Sequence, residues 1–234
     1  MRRSAQSPVL ADLWVFPGGT VRADDVAIES QELFAESSPE AAHRALAREP
    51  GGPAATPVES LGFFIAAARE LFEESGVLLG NGPHRDGDGL ADLRVAVERG
   101  RPFHEAARQL RARFSLDDFV YYAHWITPEA IPQRFDTRFF LARMPDGQEA
   151  TPSSFEMAEG VWVDVATAVE RARARELSLH FATLNHLRRL APYDDVEQLF
   201  AFARGKPVVP VMPNTRETEG RIIPFLPPEI EGVW

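Results

Sequence analysis

Apolar positions in the first third of the chain follow the period of an α-helix. They recur three and four residues apart at Leu61, Ile65, Ala68 and Phe72. Residues 56–59, Thr-Pro-Val-Glu, have the form of a capping box, with threonine as N-cap, proline at the first helical position and glutamate at the third. Gly76 can adopt the left-handed conformation that ends a helix. The pattern therefore predicts a helix that begins after Thr56 and ends near Ser75.

The other apolar segments predict a protein that mixes helices and strands. Runs rich in apolar, aromatic and β-branched residues predict strands over 9–16, 119–126, 134–144 and 161–165. Helical spacing predicts helices in pieces over 24–49, and over 103–114, 165–175, 178–190 and 194–204. Residues 50–53 and 80–89 are rich in glycine and proline and predict loops. The order of strand, helix, strands and then helices indicates an α+β fold with a mixed sheet flanked by helices.

The length and the proline distribution predict one domain and a tail. A chain of 234 residues suits a single sizeable core, which we expect residues 1–205 to form. Prolines are frequent from Pro207 onward. Residues 206–234 are therefore expected to form an extended tail rather than a helix.

Charge and composition exclude several classes of partner and chemistry. The net charge of -10 argues against a nucleic-acid polymer or a membrane surface as partner. The chain has no cysteine, which excludes thiolate catalysis, disulfides and cysteine-bound zinc. No apolar run approaches the roughly 18 residues of a membrane span, and no secretory signal opens the chain. We therefore expect a cytoplasmic protein.

Three carboxylates interrupt the end of the predicted helix. At about 100° per residue, Glu73 and Glu74 lie one turn beyond Glu70 and flank it on the face opposite the apolar positions. Like charges at this spacing repel one another unless a cation lies between them. Carboxylate oxygens are ligands for hard cations such as Mg²⁺ and Mn²⁺, so the cluster suits a metal site. The alternative is a solvated helix face.

The glutamate cluster and the upstream glycine turn, Phe16-Pro17-Gly18-Gly19, resemble the Nudix box. That motif is a glycine, five residues, an acid, seven residues, and then Arg-Glu-apolar-any-Glu-Glu-any-Gly-apolar. Residues 69–77 fit its second half at every position, and Gly19 and Asp25 fit its first half, with aspartate in place of the usual glutamate. The departure is in the spacing, because 43 residues separate Asp25 from Arg69.

A branch of the Nudix superfamily carries such an insertion, and residues 124–128 and 134–140 also resemble that branch. The resemblance implies an α/β/α sandwich with a helical insertion at 26–55 and extra C-terminal helices. It implies hydrolysis of a diphosphate bond in a nucleoside diphosphate linked to a group X, with Mg²⁺ or Mn²⁺ as cofactor. Attack on an anionic diphosphate needs charge neutralisation and positioning, which a metal supplies.

The resemblance also assigns roles to the residues of the box. Glu73 and Glu74 are expected to bind the metal, and Glu70 to act as a ligand or as the base that activates water. A backbone carbonyl of the glycine turn, from Gly18 or Gly19, is expected to complete the metal site.

Other residues are expected to support or extend the site. Arg69 is expected to orient Glu73, and Asp25 is a supporting residue whose position the insertion can change. A further acid from a later strand or loop is expected at Glu156, with Glu159 as runner-up and a solvated acid as the alternative for either. Two more residues are expected to bind a phosphate of the X group, with surface charge as their alternative: Arg134 and Arg138.

The resemblance leaves the substrate less defined than the bond. The long-insert branch includes a mammalian peroxisomal coenzyme A diphosphatase, so coenzyme A or acyl-CoA is the leading substrate hypothesis. Nucleotide sugars and dinucleotides stay open, because the box residues contact the diphosphate and not X. A second hypothesis is a Nudix-fold module that senses a nucleotide without cleaving it. The resemblance also makes a homodimer plausible, although nothing in the sequence demonstrates one.

Overall fold

The computed structural model describes residues 1–50, 54–82, 89–153 and 156–234, and helices are its main elements. Short 3-10 helices cover Ala23–Val26, Glu32–Phe34 and Leu116–Asp118. The predicted helices are confirmed, although the one expected over 103–114 is shorter. The α-helices are α1 (Ile28–Gln31), α2 (Pro39–Leu46), α3 (Pro57–Ser75), α4 (Gly89–Glu98), α5 (Phe103–Gln109), α6 (Val165–Arg173), α7 (Phe181–Leu190) and α8 (Val196–Gly205).

Within the described residues, the strands form three small sheets. They are β1 (Arg2–Arg3), β2 (Val120–Ile126), β3 (Asp136–Leu141), β4 (Met157–Glu159), β5 (Pro210–Val211), β6 (Asn214–Thr218) and β7 (Arg221–Phe225). Strand β2 pairs antiparallel with β3 and parallel with β5, so this three-stranded sheet is mixed. Strand β1 pairs with β4, and β6 with β7, both antiparallel. The predicted α+β class is confirmed.

Helix α3 begins and ends as its sequence signals predict. The Thr56 Oγ1 accepts a hydrogen bond from the Glu59 N–H at 3.3 Å, and Glu59 Oε2 accepts one from the Thr56 N–H at 2.7 Å. Gly76 follows with a φ of 75°, in the left-handed region. The apolar face of α3 is buried in the larger hydrophobic cluster, which fixes the direction in which its glutamates point.

The insertion packs on α3 where the structure describes it. Phe34 and Leu46, from the insertion, are fully buried in the same cluster as the apolar face of α3. A Cβ added at Gly62 would lie 2.7 Å from Val26 Cγ1, so the start of the insertion rests almost on the α3 backbone. The insertion therefore leaves the glycine turn and the motif helix in contact.

The segment 206–234 is not helical, but it is more than an extended tail. It supplies β5 and the β6–β7 hairpin. Trp234 is buried, with its ring centroid 5.0 Å from that of Trp125 and 5.1 Å from that of His186. The segment thus completes a second apolar cluster around β2 and α8.

Two predicted strands are wrong. The structure describes all of residues 9–16 and shows isolated bridges at Trp14 but no strand, and Leu10 has a φ of 52°, which no regular strand accommodates. Residues 161–165 are also not a strand, and Trp162 is 71% exposed. The strand in this region is β4, which lies a few residues before 161–165.

The predicted loops lie partly outside the described residues. Residues 51–53 of the first loop and 83–88 of the second are not described. Helix α4 begins at Gly89, where the sequence pattern predicted no helix. Among the described residues, no helix combines the length and the apolar character needed to cross a membrane.

Candidate active site

The three motif glutamates lie in the last turns of α3 and are buried. The exposed fractions are 7% for Glu70, 7% for Glu73 and 3% for Glu74. Burial of a carboxylate costs free energy unless a cation or hydrogen bonds compensate it. The alternative of a solvated helix face is therefore wrong, and the cluster needs positive partners.

Arg69 is one of these partners. Its Nη1 donates to Glu70 Oε1 at 2.6 Å and to Glu73 Oε2 at 3.2 Å. On its other side, Nε and Nη2 donate to the two carboxylate oxygens of Asp25 at 2.8 and 2.9 Å. Burial lowers the pKa of Arg69, but the surrounding carboxylates raise it by more, so the guanidinium stays charged. Asp25 thus holds Arg69, which in turn holds two of the glutamates.

Arg22 is the second partner, and the sequence did not single it out. Its Nη1 and Nη2 donate to the two carboxylate oxygens of Glu73 at 2.8 and 2.9 Å, and Nη2 lies 3.9 Å from Glu70 Oε1. Its backbone N–H donates to Asp25 Oδ2 at 2.8 Å. The side chain lies in the gap between Gly19 and Asp25, where the Nudix motif specifies no residue type. No sequence signal therefore marked it.

Glu74 lies beneath the glycine turn. Its Oε2 accepts a hydrogen bond from the Gly18 N–H at 2.9 Å. Its Oε1 is buried without a hydrogen-bond partner among the described residues, although Arg3 Nη1 lies 3.5 Å away. Burial above all, and the charge of Glu70, raise the pKa of Glu74 to about 8, against the lowering effect of the Gly18 N–H. Glu74 is the least compensated carboxylate of the three.

Gly19 lies directly against the Glu70 carboxylate. A Cβ at this position would lie 2.7 Å from Glu70 Oε2 and closer still to Oε1. The turn can approach the helix this closely only because the residue has no side chain. The glycine turn and the glutamates are therefore one packed unit.

The structure brings Glu156, but not Glu159, to this unit. Arg3 links Glu156 to Glu74, because its Nη2 donates to Glu156 Oε2 at 3.3 Å while its Nη1 faces Glu74. The Glu156 side chain is mostly exposed. Glu159 instead accepts a hydrogen bond from Arg2 Nε at 3.3 Å.

The two arginines expected to bind a phosphate differ in their surroundings. Arg134 is exposed, and its Nε donates to the Thr127 carbonyl at 3.1 Å. Only 4% of the Arg138 side chain is exposed, and its Nη1 donates to Asp136 Oδ1 at 3.1 Å. Its guanidinium lies 4.1 Å from the centre of the Phe63 ring, in cation–π geometry.

A buried polar network lies behind Arg138. His124 Nε2 lies 2.5 Å from Asp136 Oδ1, and its Nδ1 lies 3.3 Å from Glu49 Oε1. The Tyr121 hydroxyl donates to Glu49. Glu49 belongs to the insertion, so this network ties the insertion to strands β2 and β3.

The glutamate cluster fits a divalent cation in its chemistry but not yet in its arrangement. In the described part of the chain, no three acidic or histidine side chains stand as a metal-holding group. Glu73 and Glu70 are paired instead with Arg22 and Arg69. The donor set is nevertheless one of hard oxygens, as Mg²⁺ and Mn²⁺ require. Glu74 Oε1 adds a buried acceptor that lacks a hydrogen bond, which a cation would compensate.

Comparisons of the sequence point to one family. A sequence model of the family described as the NUDT19 Nudix domain matches residues 1–190. A Caenorhabditis elegans protein named putative nudix hydrolase 7 is 30% identical over 176 residues, which cover 73% of this chain and 58% of that protein. The Gallus gallus protein named acyl-coenzyme A diphosphatase NUDT19 is 27% identical over an alignment 239 positions long, and the match covers 87% of this chain and 63% of that protein. The chain thus spans less than two thirds of the length of these relatives.

A comparison of structures supports the fold. The crystal structure of a Nudix hydrolase from Alicyclobacillus acidocaldarius superposes with a TM-score of 0.65 at 22% identity. The match covers 86% of this chain and 85% of that one. The Nudix-like α+β fold expected from the sequence is confirmed.

Proposed function

We infer the activity from one premise: this chain belongs to the Nudix family described as the NUDT19 Nudix domain. We propose that it is a metal-dependent hydrolase that cleaves a diphosphate bond in a nucleoside diphosphate linked to X. The observation that carries the proposal is the buried cluster of Glu70, Glu73 and Glu74 under the glycine turn. Within this cluster Glu74 Oε1 is a buried carboxylate oxygen with no hydrogen-bond partner among the described residues, and a bound cation would compensate it.

The roles of the residues follow from their contacts. Glu70, Glu73 and Glu74 would hold the cation, which when bound neutralises diphosphate charge and lowers the pKa of water. The Gly18 N–H fixes one oxygen of Glu74, and the Gly19 turn confines Glu70. We assign the turn carbonyl of Gly19 to the same site.

Other charged residues position or extend this site. Asp25 and Arg69 act as positioning residues, because their paired contacts fix Glu70 and Glu73. Glu156 is proposed as the further acid, since Arg3 holds it next to Glu74.

We assign the X group to a cavity beside the cluster. The cavity has a volume of about 260 Å³, and its lining residues come from the segment after the glycine turn, the end of the insertion, α3 and β3: Val21, Ala54, Ala55, Glu59, Phe63, Asp136 and Arg138. Phe63 is two helical turns before Glu70, so the two side chains lie on one face of α3, about 10 Å apart along its axis. The cavity therefore lies on the same face of α3 as the proposed site of cleavage, about 10 Å from it along the helix.

The charges around this cavity favour an uncharged part of X. The Arg138 guanidinium is already paired with Asp136, and Glu59 adds a second carboxylate. A phosphate would meet these carboxylates, whereas an amide-containing or apolar arm would pack on Phe63. Arg134, whose guanidinium is exposed, keeps the proposed role of binding a phosphate of X.

Coenzyme A or acyl-CoA is the substrate we propose. Support comes from the avian relative, whose name is acyl-coenzyme A diphosphatase, and from the cavity, which suits a pantetheine arm. Nucleotide sugars and dinucleotides are the alternative substrates. A nucleotide sensor without activity is the alternative function, and the presence of all three glutamates argues against it.

A substrate panel with and without Mg²⁺ tests the proposal. We expect coenzyme A to give phosphopantetheine and adenosine bisphosphate, detected by mass spectrometry, only with the metal. The variant Glu73→Gln should lose activity by orders of magnitude while it stays folded, whereas Glu176→Gln, at an exposed surface pair, should match the wild type. If the protein turns over none of the tested substrates, which are coenzyme A, acyl-CoA, nucleotide sugars and dinucleotides, the proposal that it is an enzyme is contradicted. Nucleotide binding without turnover would then favour the sensor.

The cation we propose is Mg²⁺ or Mn²⁺, and activity titrations with each metal measure the preference. A cytoplasmic location stays a prediction from the sequence. A homodimer likewise stays a prediction, which sedimentation of the purified chain would test.

A further inference from the structure

Two arginines compensate the glutamate cluster, and they differ in their freedom to move. Arg69 is buried, and Asp25 and the Thr20 carbonyl hold the side of its guanidinium that faces away from the glutamates. Arg22 is 47% exposed, and the side-chain hydrogen bonds described for it go to Glu73 alone. Arg69 is therefore a fixed part of the site, while Arg22 can leave at the cost of its bonds to one carboxylate.

Arg22 occupies the oxygens that a cation would need. Its guanidinium binds both carboxylate oxygens of Glu73 and comes within 3.9 Å of Glu70 Oε1. A guanidinium and a divalent cation cannot share the same side of one carboxylate, because both are positive and both need its lone pairs. The two positive groups are therefore in competition.

We propose that Arg22 is a built-in counter-cation that a divalent cation must displace from Glu73. Without metal, Arg22 relieves the repulsion between Glu70 and Glu73. With metal, its guanidinium leaves, so the Arg22–Glu73 contact raises the metal concentration at which the site fills. The inference rests on the proposed function in taking these glutamates as metal ligands.

Mn²⁺ binding without substrate tests this directly. The free-Mn²⁺ signal in electron paramagnetic resonance and calorimetric titration give the affinity for the wild type and for Arg22→Ala. We expect Arg22→Ala to bind Mn²⁺ about tenfold more tightly, since it loses a competing pair of charge-assisted hydrogen bonds. In metal-free buffer the same variant should melt at a lower temperature than the wild type, and Mn²⁺ should raise its melting temperature more.

Two further variants separate displacement from a general effect of charge. Arg3→Ala removes a guanidinium that lies beside Glu74 but forms no two-bond contact with a motif glutamate. Arg171→Ala removes an exposed guanidinium that is paired with Glu176 on the surface. We expect a smaller gain in affinity for the first and no change for the second.

Crystal structures with and without Mn²⁺ give the decisive comparison. The inference requires the Arg22 guanidinium to lie on Glu73 without metal and away from it with metal. A structure in which Mn²⁺ and the Arg22–Glu73 contact coexist would overturn it, as would equal gains in affinity for Arg22→Ala and Arg3→Ala. Mn²⁺ binding that Arg22→Ala leaves unchanged overturns this inference alone. Absence of Mn²⁺ binding in every variant overturns it together with the proposed metal site.

Discussion

Asp25 accepts two hydrogen bonds from Arg69, at 2.8 and 2.9 Å, and both side chains are almost completely buried. These residues are 44 positions apart in the sequence, with the helical insertion between them. Their contact explains how an insertion of this size leaves the two halves of the motif together. It also makes Asp25 the anchor on which the orientation of Glu70 and Glu73 depends.

The first prediction concerns this anchor. Asp25→Asn removes the charge that faces a buried guanidinium, and breaking a buried ion pair costs about 3 kcal/mol or more of unfolding free energy. We expect a loss of that size in urea denaturation, together with a lower kcat. Asp12→Asn is the matched control, because Asp12 pairs with Arg2 at an exposed site and its loss should cost less than about 1 kcal/mol. Equal costs for the two variants would contradict the anchoring role.

The second prediction separates activity from stability at the glycine turn. In Gly19→Ala the new methyl group meets the Glu70 carboxylate, which is the flexible end of a side chain and can swing away. We therefore expect a modest loss of stability but a fall in kcat/KM of about 10²-fold, the scale on which small misplacements act. Gly205→Ala is the control, since a Cβ there meets no atom within 4 Å. A variant with full activity would remove Gly19 from the site.

Much of the motif helix could be predicted from sequence because its signals are local. The Thr56 cap, the apolar face and Gly76 all act within a few residues of the helix they define. The prediction of a strand over 9–16 was wrong because a short apolar run does not reveal whether a partner strand lies beside it. The buried end of the tail was missed for a similar reason, since the partners of Trp234 are distant in sequence.

Some residues of the candidate site could likewise be predicted from the sequence, and others could not. The glutamates and Arg69 could be predicted because the motif fixes their spacing, and Asp25 because the motif places an acid six residues after Gly19. Arg22 could not, because its contact with Glu73 depends on how the turn folds over α3. The local pattern therefore predicted the acids of the candidate site and Arg69, but not Arg22, the second arginine that pairs with Glu73.

The third prediction is a pH dependence that arises from His124. Burial lowers the pKa of His124, but the hydrogen bond to Asp136 and the Glu49 carboxylate, 3.3 Å from Nδ1, raise it by more, so its pKa lies above the usual value. The protonated ring therefore stabilises the fold fully below pH of about 6.5, and this contribution is lost as pH rises through the folded pKa. We expect the difference in unfolding free energy between wild type and His124→Gln to be larger at pH 6 than at pH 9.

An NMR titration of the His124 ring checks the cause. In Asp136→Asn one raising hydrogen bond is lost while burial stays, so the pKa of His124 should fall. Arg138, which also faces the ring, already lowers this pKa and is unchanged in the variant. If the difference in unfolding free energy between wild type and His124→Gln grows from pH 6 to pH 9, the raised pKa of His124 is contradicted.

The fourth prediction has the opposite sign and concerns His186. Its ring packs against Trp125 and Trp234, and neither ring nitrogen has a hydrogen-bond partner among the described residues. Burial, with smaller effects of Lys206 and His180, lowers the pKa of His186 to about 3. The unfolded chain therefore binds the proton first, and stability falls by about 1.4 kcal/mol per pH unit as pH drops below about 6.5. His186→Leu should lose this dependence. In urea denaturation, its free energy of unfolding should therefore fall less between pH 7.5 and pH 5.5 than that of the wild type. An equal fall in the two proteins would mean that the ring is hydrated or paired in solution.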